Sequence, residues 1–208
     1  MQSTSASSGR SLRAIKADAV ATSIVESALN LFDQKGFDGV TVDEIASASG
    51  ISRRSLFRYF ATKEDIVVSG HAAFGERIIE IVKSRPQGED VWVSLRRGFD
   101  VLVENVDRDP DGAARTMRVI HGTASLRAHT LEKHMAWASG LGPEIARRLG
   151  GADTRRLEAD ALIHASLACL DVALAHFAPG PVASLGDKLD AAFVALRPTT
   201  TRDESSAR

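Results

Sequence analysis

Four basic side chains lie close together in residues 52–63, a segment that contains no acidic residue: Arg53, Arg54, Arg58 and Lys63. Arginine presents a planar fork of donors that matches the two major-groove acceptors of guanine, and arginine and lysine both bind phosphate. If Leu56 and Phe60 face inward, the opposite side of a helix over 53–60 presents Arg53, Arg54, Ser55, Arg58 and Tyr59. This pattern predicts a DNA-reading surface. A solvated helical face is the alternative for a basic run without such surroundings.

The segment that precedes these residues is divided into short elements. An apolar stripe at three- and four-residue steps predicts a first helix, and Gly36 followed by Phe37 is typical of a left-handed helix stop. Thr41 and Glu44 then have the spacing of a capping box, in which each side chain binds the other residue's backbone amide. The capping box predicts a second helix over residues 42–49.

Two further helix starts follow within a few residues. Ser52 is the predicted cap of a third helix over 53–60, and Thr62 is the predicted cap of a fourth helix that continues to residue 84. A short helix, a glycine-containing turn and a second short helix form the helix-turn-helix plan, whose second helix enters the major groove.

The remainder of the chain also has helical periodicity, and strand patterns are nearly absent. We expect helices over 90–106, 125–149 (with a break or kink near Pro143) and 153–178. The predicted fold is all-α: an N-terminal three-helix helix-turn-helix domain and a C-terminal helical bundle. The predicted divisions are a disordered arm at 1–15, a DNA-binding domain at 16–66, a larger helical domain at 67–197, and a disordered tail at 198–208.

The overall composition excludes several classes of protein. The 208 residues carry a net charge of -1, so basic charge is local and does not cover the whole surface. A single cysteine, Cys169, rules out an intrachain disulfide framework. The Ser/Thr-rich N-terminus does not resemble a secretory signal, and no apolar run reaches 18 residues, so we expect a cytoplasmic protein without a membrane span.

The motifs TVDEIA (41–46) and GISRRSLFRYFATKED (50–65) resemble the N-terminal domain of TetR-type transcriptional regulators, over residues 19–66. The resemblance implies DNA contacts at the positions of Thr41, Arg53, Arg54, Ser55, Tyr59 and Lys63. Phe57 stands where many members have tyrosine, so a hydroxyl contact to phosphate is lost there and Arg58 is a candidate to replace it. With the cap residue, the DNA-binding candidates are Thr41, Ser52, Arg53, Arg54, Ser55, Arg58, Tyr59 and Lys63.

The resemblance implies that residues 67–197 bind a ligand and form a homodimer on a palindromic double-stranded DNA operator. Small and apolar residues on two helices are the predicted interface: Leu157, Ala161, Ala165, Leu167 and Ala168, with Leu185, Leu189, Ala192, Phe193 and Leu196. Internal packing of these faces is the alternative. Ligand-binding candidates combine apolar bulk with polar tips: Trp92, Phe99, Met117, His121, Trp137, Cys169, His176 and Phe177.

The segment 116–120, with Leu126 and Trp137, resembles the mycofactocin-type subgroup that binds acyl-coenzyme A-like molecules. We therefore predict a repressor that a small-molecule effector releases from its operator. No cofactor and no metal is expected, since His129 and His134 do not share a helical face.

The basic residues Arg10, Arg13 and Lys16 could form an arm in the minor groove, or a disordered terminus without that role. Two other functions stay open. A helical enzyme that binds small molecules lacks any recognisable catalytic motif, and a protein-binding adaptor leaves the arginine-rich third helix unexplained.

Overall fold

A computed structural model describes residues 12–68, 71–151, 155–180 and 184–197, and within these ranges the chain forms helices and no strand. The predicted all-α class is therefore confirmed. The chain divides between residues 69 and 70 into two compact units, here called unit one and unit two. Unit one contains α1 (Leu12–Lys35), α2 (Val42–Ala48), α3 (Arg53–Leu56) and α4 (Lys63–Val68). Unit two contains α5 (His71–Ser84), α6 (Val91–Gly98), α7 (Asp100–Arg108), α8 (Pro110–Gly122), α9 (Ala124–Arg148), α10 (Arg155–Ala175) and α11 (Leu185–Ala195).

The core of unit one confirms the apolar stripe of α1. Ile24 and Phe32 are buried on this helix, and Phe37 packs its ring 4.9 Å from that of Phe32 after the chain turns. Gly36 makes that turn with a φ of 73°, a left-handed conformation that side chains with a Cβ rarely adopt. The predicted helix stop at this glycine is confirmed.

Several predicted boundaries in unit one are wrong. The helix α1 begins at Leu12, so residues 12–15 are helical and do not belong to a disordered arm; residues 1–11 and the predicted tail at 198–208 lie outside the described residues. The third helix ends at Leu56 and not at Phe60, because the chain then tightens into bonds between residues three apart, from Arg58 to Ser55 and from Tyr59 to Leu56.

The longer helices of unit two also differ from expectation. The segment 90–106 is divided into α6 and α7 at the buried Phe99, whereas the predicted helix over 63–84 is helical over α4 and α5, and residues 69 and 70 lie outside the described residues. In contrast, α9 runs through Pro143 where a break was predicted. Proline removes one backbone bond there, but Leu141 and Ile145 on either side are fully buried, and their packing holds the helix together.

A charged network joins the ends of three helices in unit two. The Arg148 side chain is 1% exposed and donates to the carbonyl oxygens of Val82, Arg85 and Pro86, where α5 ends, as well as to Glu144 in its own helix. Hydrogen bonds from Arg147, together with those from Arg148, hold the pKa of the Glu144 carboxyl below its usual range. These bonds supply a charged donor to carbonyl groups at and just after the end of α5, where helical partners run out.

The closest approach of α5 to α9 depends on Gly75. A Cβ placed on Gly75 would lie 2.3 Å from Cδ1 of Trp137, whose side chain is buried in the core of unit two. A ring in this position cannot move aside without displacing its own neighbours, since protein interiors are close-packed. The two helices therefore need a residue without a side chain at this crossing.

We expect Gly75→Ala to lower the free energy of unfolding of unit two by about 1–3 kcal/mol, the usual cost of overpacking a core. The matched control is Gly122→Ala at the end of α8, where a Cβ would meet nothing within 4 Å. That change should leave the free energy of unfolding within about 1 kcal/mol of the unaltered value, since it adds a methyl group without a contact. Chemical denaturation of both variants measures the difference, and equal stabilities would contradict the proposed contact.

Candidate nucleic-acid interface

The start of α2 is built by a reciprocal pair of hydrogen bonds, as predicted. The Thr41 hydroxyl accepts the Glu44 N–H at 3.3 Å, and Glu44 Oε2 accepts the Thr41 N–H at 2.8 Å. Lys35 Nζ lies 2.7 Å from Glu44 Oε1, and this hydrogen bond, with those from Thr41, lowers the pKa of Glu44 to about 2. The capping box is confirmed, and the Thr41 hydroxyl is already engaged in it.

The start of α3 is capped by Ser52, as predicted. The Ser52 hydroxyl accepts the Ser55 N–H at 3.1 Å and donates to the Ser55 hydroxyl oxygen at 3.0 Å. The two serines therefore shape the beginning of the helix. The Ser52 side chain is exposed, and that of Ser55 is half-buried.

Apolar side chains determine which side of this segment faces solvent. Leu56 and Phe60 are buried with Ile45 of α2, whereas Arg53, Arg54 and Arg58 are exposed on the other side. The guanidinium carbon of Arg58 lies 5.7 Å from the ring centroid of the half-buried Tyr59. The outward placement of the three arginines agrees with the expectation from the sequence.

The expectation that this face lacks an acidic partner is wrong for one residue. Arg53 Nη1 donates to Asp43 Oδ2 at 2.9 Å, with both side chains exposed. Asp43 is ten positions earlier in the sequence, and the turn between α2 and α3 brings it back beside Arg53. The charges within residues 52–63 therefore do not include this carboxylate, and the sequence gives no sign of the contact.

Lys63 lies at a more enclosed position than the arginines. Its ammonium group donates to the carbonyl oxygens of Phe37 at 2.8 Å and Val40 at 3.0 Å, and it lies 4.2 Å from the centre of the Phe37 ring. An ammonium group has three donors, so one N–H is left for a phosphate. Lys63 therefore ties α4 to the connection between α1 and α2.

The proposed basic arm is partly outside the described residues, because Arg10 precedes them. Arg13 and Lys16 lie within α1, and the Lys16 side chain is exposed. Because the backbone of both residues is helical, they do not form an extended arm.

The predicted ligand residues of unit two differ in their burial. Trp92, Phe99, Trp137 and Cys169 are buried in the core, Met117 and Phe177 are half-buried, and His121 and His176 are exposed. Trp92 Nε1 donates to the Phe193 carbonyl oxygen at 3.0 Å, and the Cys169 thiol donates to the Ala192 carbonyl oxygen at 3.5 Å. Burial also raises the pKa of Cys169, so this thiol is a packed core group.

An open depression of about 340 Å³ lies between α9 and α10 and contains none of the predicted ligand residues. It is lined by Met135, Ala138, Ser139, Gly142, Asp160 and His164. A carboxylate and an imidazole on its wall distinguish it from an elongated apolar tunnel. None of these residues is a candidate from the sequence, in which Asp160 and His164, as polar residues on an Ala-rich helix, give the signal for them.

Two absences apply to the described parts of the chain. No group of three or more histidine, cysteine, aspartate or glutamate side chains is placed to hold a metal ion there. Nor does any described helix combine the length and the apolar character needed to cross a lipid bilayer.

The geometry defines a class of protein: a helix-turn-helix unit that exposes arginines on its second helix, followed in the same chain by a helical unit. Residues 24–69 match the family profile of bacterial regulatory proteins of the TetR family, and residues 89–201 match that of the MftR C-terminal domain. The chain belongs to the TetR family, whose members are transcriptional regulators and not enzymes.

Curated relatives and solved structures agree with this assignment. A regulator named for mycofactocin biosynthesis, MftR of Mycobacterium tuberculosis, is 34% identical over 63% of this chain and 66% of its own length. The HTH-type transcriptional regulator TcmR of Streptomyces glaucescens is 30% identical over 68% of this chain and 66% of its own. Both matches thus span just under two thirds of the relative.

The solved structures show the fold. Thermus thermophilus FadR, crystallised with lauroyl-CoA, has a TM-score of 0.55 and 23% identity over 90% of this chain and 98% of its own. The fatty acid degradation regulator FadR of Bacillus halodurans has a TM-score of 0.59 and 17% identity over 84% and 93%.

We expect Lys63→Met to destabilise unit one by about 2 kcal/mol, because two carbonyl groups lose a charged donor. The matched control is Lys16→Met, which removes an exposed lysine of α1. Thermal unfolding of both variants gives the comparison. If Lys63→Met binds DNA more weakly but unfolds like the unaltered protein, its main role is at a phosphate and not in the fold.

Proposed function

We propose that this TetR-family protein is a homodimeric repressor that binds a palindromic DNA operator and leaves it when a small-molecule effector binds unit two. The observation that carries the proposal is the row of exposed arginines on a capped segment, with Leu56 and Phe60 anchoring its other side. In this proposal the protein works in the cytoplasm, where the bacterial operator is located.

The proposed DNA contacts are divided by chemistry. Arg53 and Arg54, in the first turn of α3, are the proposed base readers, since recognition helices meet base edges with their N-terminal residues. Arg58, Tyr59 and the remaining N–H of Lys63 are the proposed phosphate contacts, which set register without reading sequence. We also propose DNA contacts for Thr41, Ser52 and Ser55, at the starts of α2 and α3. Their hydroxyl groups contact DNA through the hydrogen-bonding positions that the helix caps do not use.

The proposed dimer interface lies on the exposed sides of α10 and α11. Leu157, Val172 and Val194 are 79%, 53% and 75% exposed, and apolar surface exposed on a subunit is a candidate for contact with a partner. Exposed alanines continue the same sides of these helices: Ala161 and Ala168 on α10, with Ala191 and Ala195 on α11. Small residues let helices of two subunits approach closely.

Part of the interface expected from the sequence is wrong. Leu167, Leu185, Leu189 and Phe193 are at most 5% exposed within their own subunit, so they cannot meet a partner. Each helix has apolar residues on more than one side, and periodicity does not distinguish the side that packs internally.

The proposed effector is an acyl-coenzyme A-like molecule. The match to the MftR C-terminal domain over residues 89–201 supports a role for unit two in ligand binding, and the candidate residues stay those of the sequence analysis. Trp92, Phe99, Trp137 and Cys169 are buried, so in this proposal an apolar effector contacts them inside unit two and not at its surface. To reverse a 99:1 preference for the DNA-bound state, the effector must favour the released state by about 10⁴-fold. Titration of the bound complex with acyl-coenzyme A molecules of increasing chain length tests this class.

Selection from a random duplex pool should recover a palindrome, and Arg54→Ala should lose discrimination at one base pair in each half-site. The expected loss is about 5- to 150-fold, the range for a bidentate arginine–guanine contact. The matched control is Arg77→Ala, an exposed arginine of α5 in unit two. A selection that recovers no preferred sequence for the unaltered protein would refute the proposed function, and so favour the adaptor alternative.

Leu157→Glu combined with Val194→Glu should convert the dimer to a monomer, because each charge must be desolvated at the interface. Analytical ultracentrifugation measures the mass, and operator affinity should fall by about 10²- to 10⁴-fold as the two half-sites cease to be bound together. The control is Leu131→Glu, at an exposed leucine of α9. A double variant that stays dimeric would place the interface elsewhere.

A further inference from the structure

A carboxylate lies on the face that is proposed to meet the polyanion. Asp43, in the first turn of α2, accepts a hydrogen bond from Arg53 Nη1 at 2.9 Å, and the side chains are 65% and 59% exposed. On the same guanidinium, the ring of Phe57 lies with its centroid 5.5 Å from the Arg53 Cζ atom. Phe57 is itself 43% exposed. The three side chains form a surface cluster, here called the Arg53 cluster.

The carboxylate is not needed to begin α2. Thr41 and Glu44 already form the capping box, and Glu44 also supplies a negative charge in the first turn. Exposed ion pairs add little to stability. Asp43 adds only a second, modest charge interaction to this helix start, while its charge repels DNA phosphates and weakens binding in general.

The cluster restricts what Arg53 can do. A guanidinium group has five N–H donors in a fixed plane, and Asp43 holds one of them. An unrestrained arginine can turn to the nearest phosphate, whereas one held by a carboxylate and an aromatic face keeps its remaining donors in one direction. Fixing a long side chain in advance also reduces the entropy lost on binding.

We infer that Asp43 and Phe57 are positioning residues that direct Arg53 toward a base edge, so that Asp43 increases sequence discrimination while it lowers affinity for DNA in general. This inference rests on the proposed function. Among the ion pairs of the described residues, the arginine of α3 that pairs with a carboxylate is Arg53, so its neighbour Arg54 serves as an internal comparison. The inference also gives Phe57 a role, the positioning of Arg53 by its ring, for which the hydroxyl group of a tyrosine is not needed.

The test measures the affinities of Asp43→Ala, Arg53→Ala and the double variant for the selected operator, for all its single-base-pair variants and for a random duplex. The Arg53→Ala profile identifies the base pair that Arg53 reads. Asp43→Ala should reduce discrimination at that pair about tenfold, within the range for one arginine contact. It should also bind random duplex more tightly, with a salt dependence steeper by about one ion per subunit, because Arg53 is free to contact a phosphate.

Three comparisons separate positioning from simpler roles. In the Arg53→Ala background, Asp43→Ala should have no further effect on discrimination. The charge control is Asp38→Ala, which removes another exposed carboxylate of unit one and should leave base preference unchanged. Phe57→Leu, which keeps apolar bulk without a ring, should reduce discrimination at the same base pair. Thermal unfolding should be unchanged for Asp43→Ala.

The inference is overturned if Asp43→Ala raises all affinities equally and keeps the base preferences, since Asp43 then acts only as a repelling charge. It is also overturned if discrimination falls equally in the Arg53→Ala background. Both results leave the operator bound by the unaltered protein, so they differ from failure of the proposed function, in which that protein selects no operator.

Discussion

The short helices of unit one depend on side-chain oxygens that satisfy their first amide groups. Isolated helices of four to seven residues are unstable in water, because nucleation orders several residues for very few hydrogen bonds. Thr41, Ser52 and Thr62 each accept the N–H of the residue three positions later, so each helix start has a defined place. Burial of Leu56 and Phe60 then orients the third segment, and the arginines take the remaining side. Local capping and burial together produce the exposed basic surface.

The same turn of α2 contributes to stability and is proposed to contribute to recognition. Negative charge is favoured at a helix N-terminus, and α2 has two acidic residues in its first turn. Glu44 turns back to the capping box and Lys35, whereas Asp43 contacts Arg53 on the reading surface. An acidic residue in the first turn is common at helix starts, and here Asp43 also restrains Arg53, the proposed DNA-binding side chain. This contact links the fold of unit one to its proposed selectivity.

Unit two distributes its apolar residues between a closed interior and two exposed helix sides. The interior is filled by aromatic side chains that also bond to the end of α11, as Trp92 does to Phe193. A ligand that enters this interior is proposed to change the packing near α10 and α11, which also expose apolar side chains. Effector binding and subunit contact are thus proposed to involve neighbouring sides of the same helices.

The sequence by itself determined the all-α class, the capped helix starts, the glycine stop at Gly36 and the outward arginines, because each depends on residues within about four positions of one another. Only the tertiary structure decided that Asp43 meets Arg53 and that the Lys63 ammonium binds carbonyl groups more than twenty residues away. It also decided that the Phe193 side of α11 packs internally while Val194 is exposed. Periodicity shows that a helix has an apolar side, but what covers that side depends on residues distant in the chain.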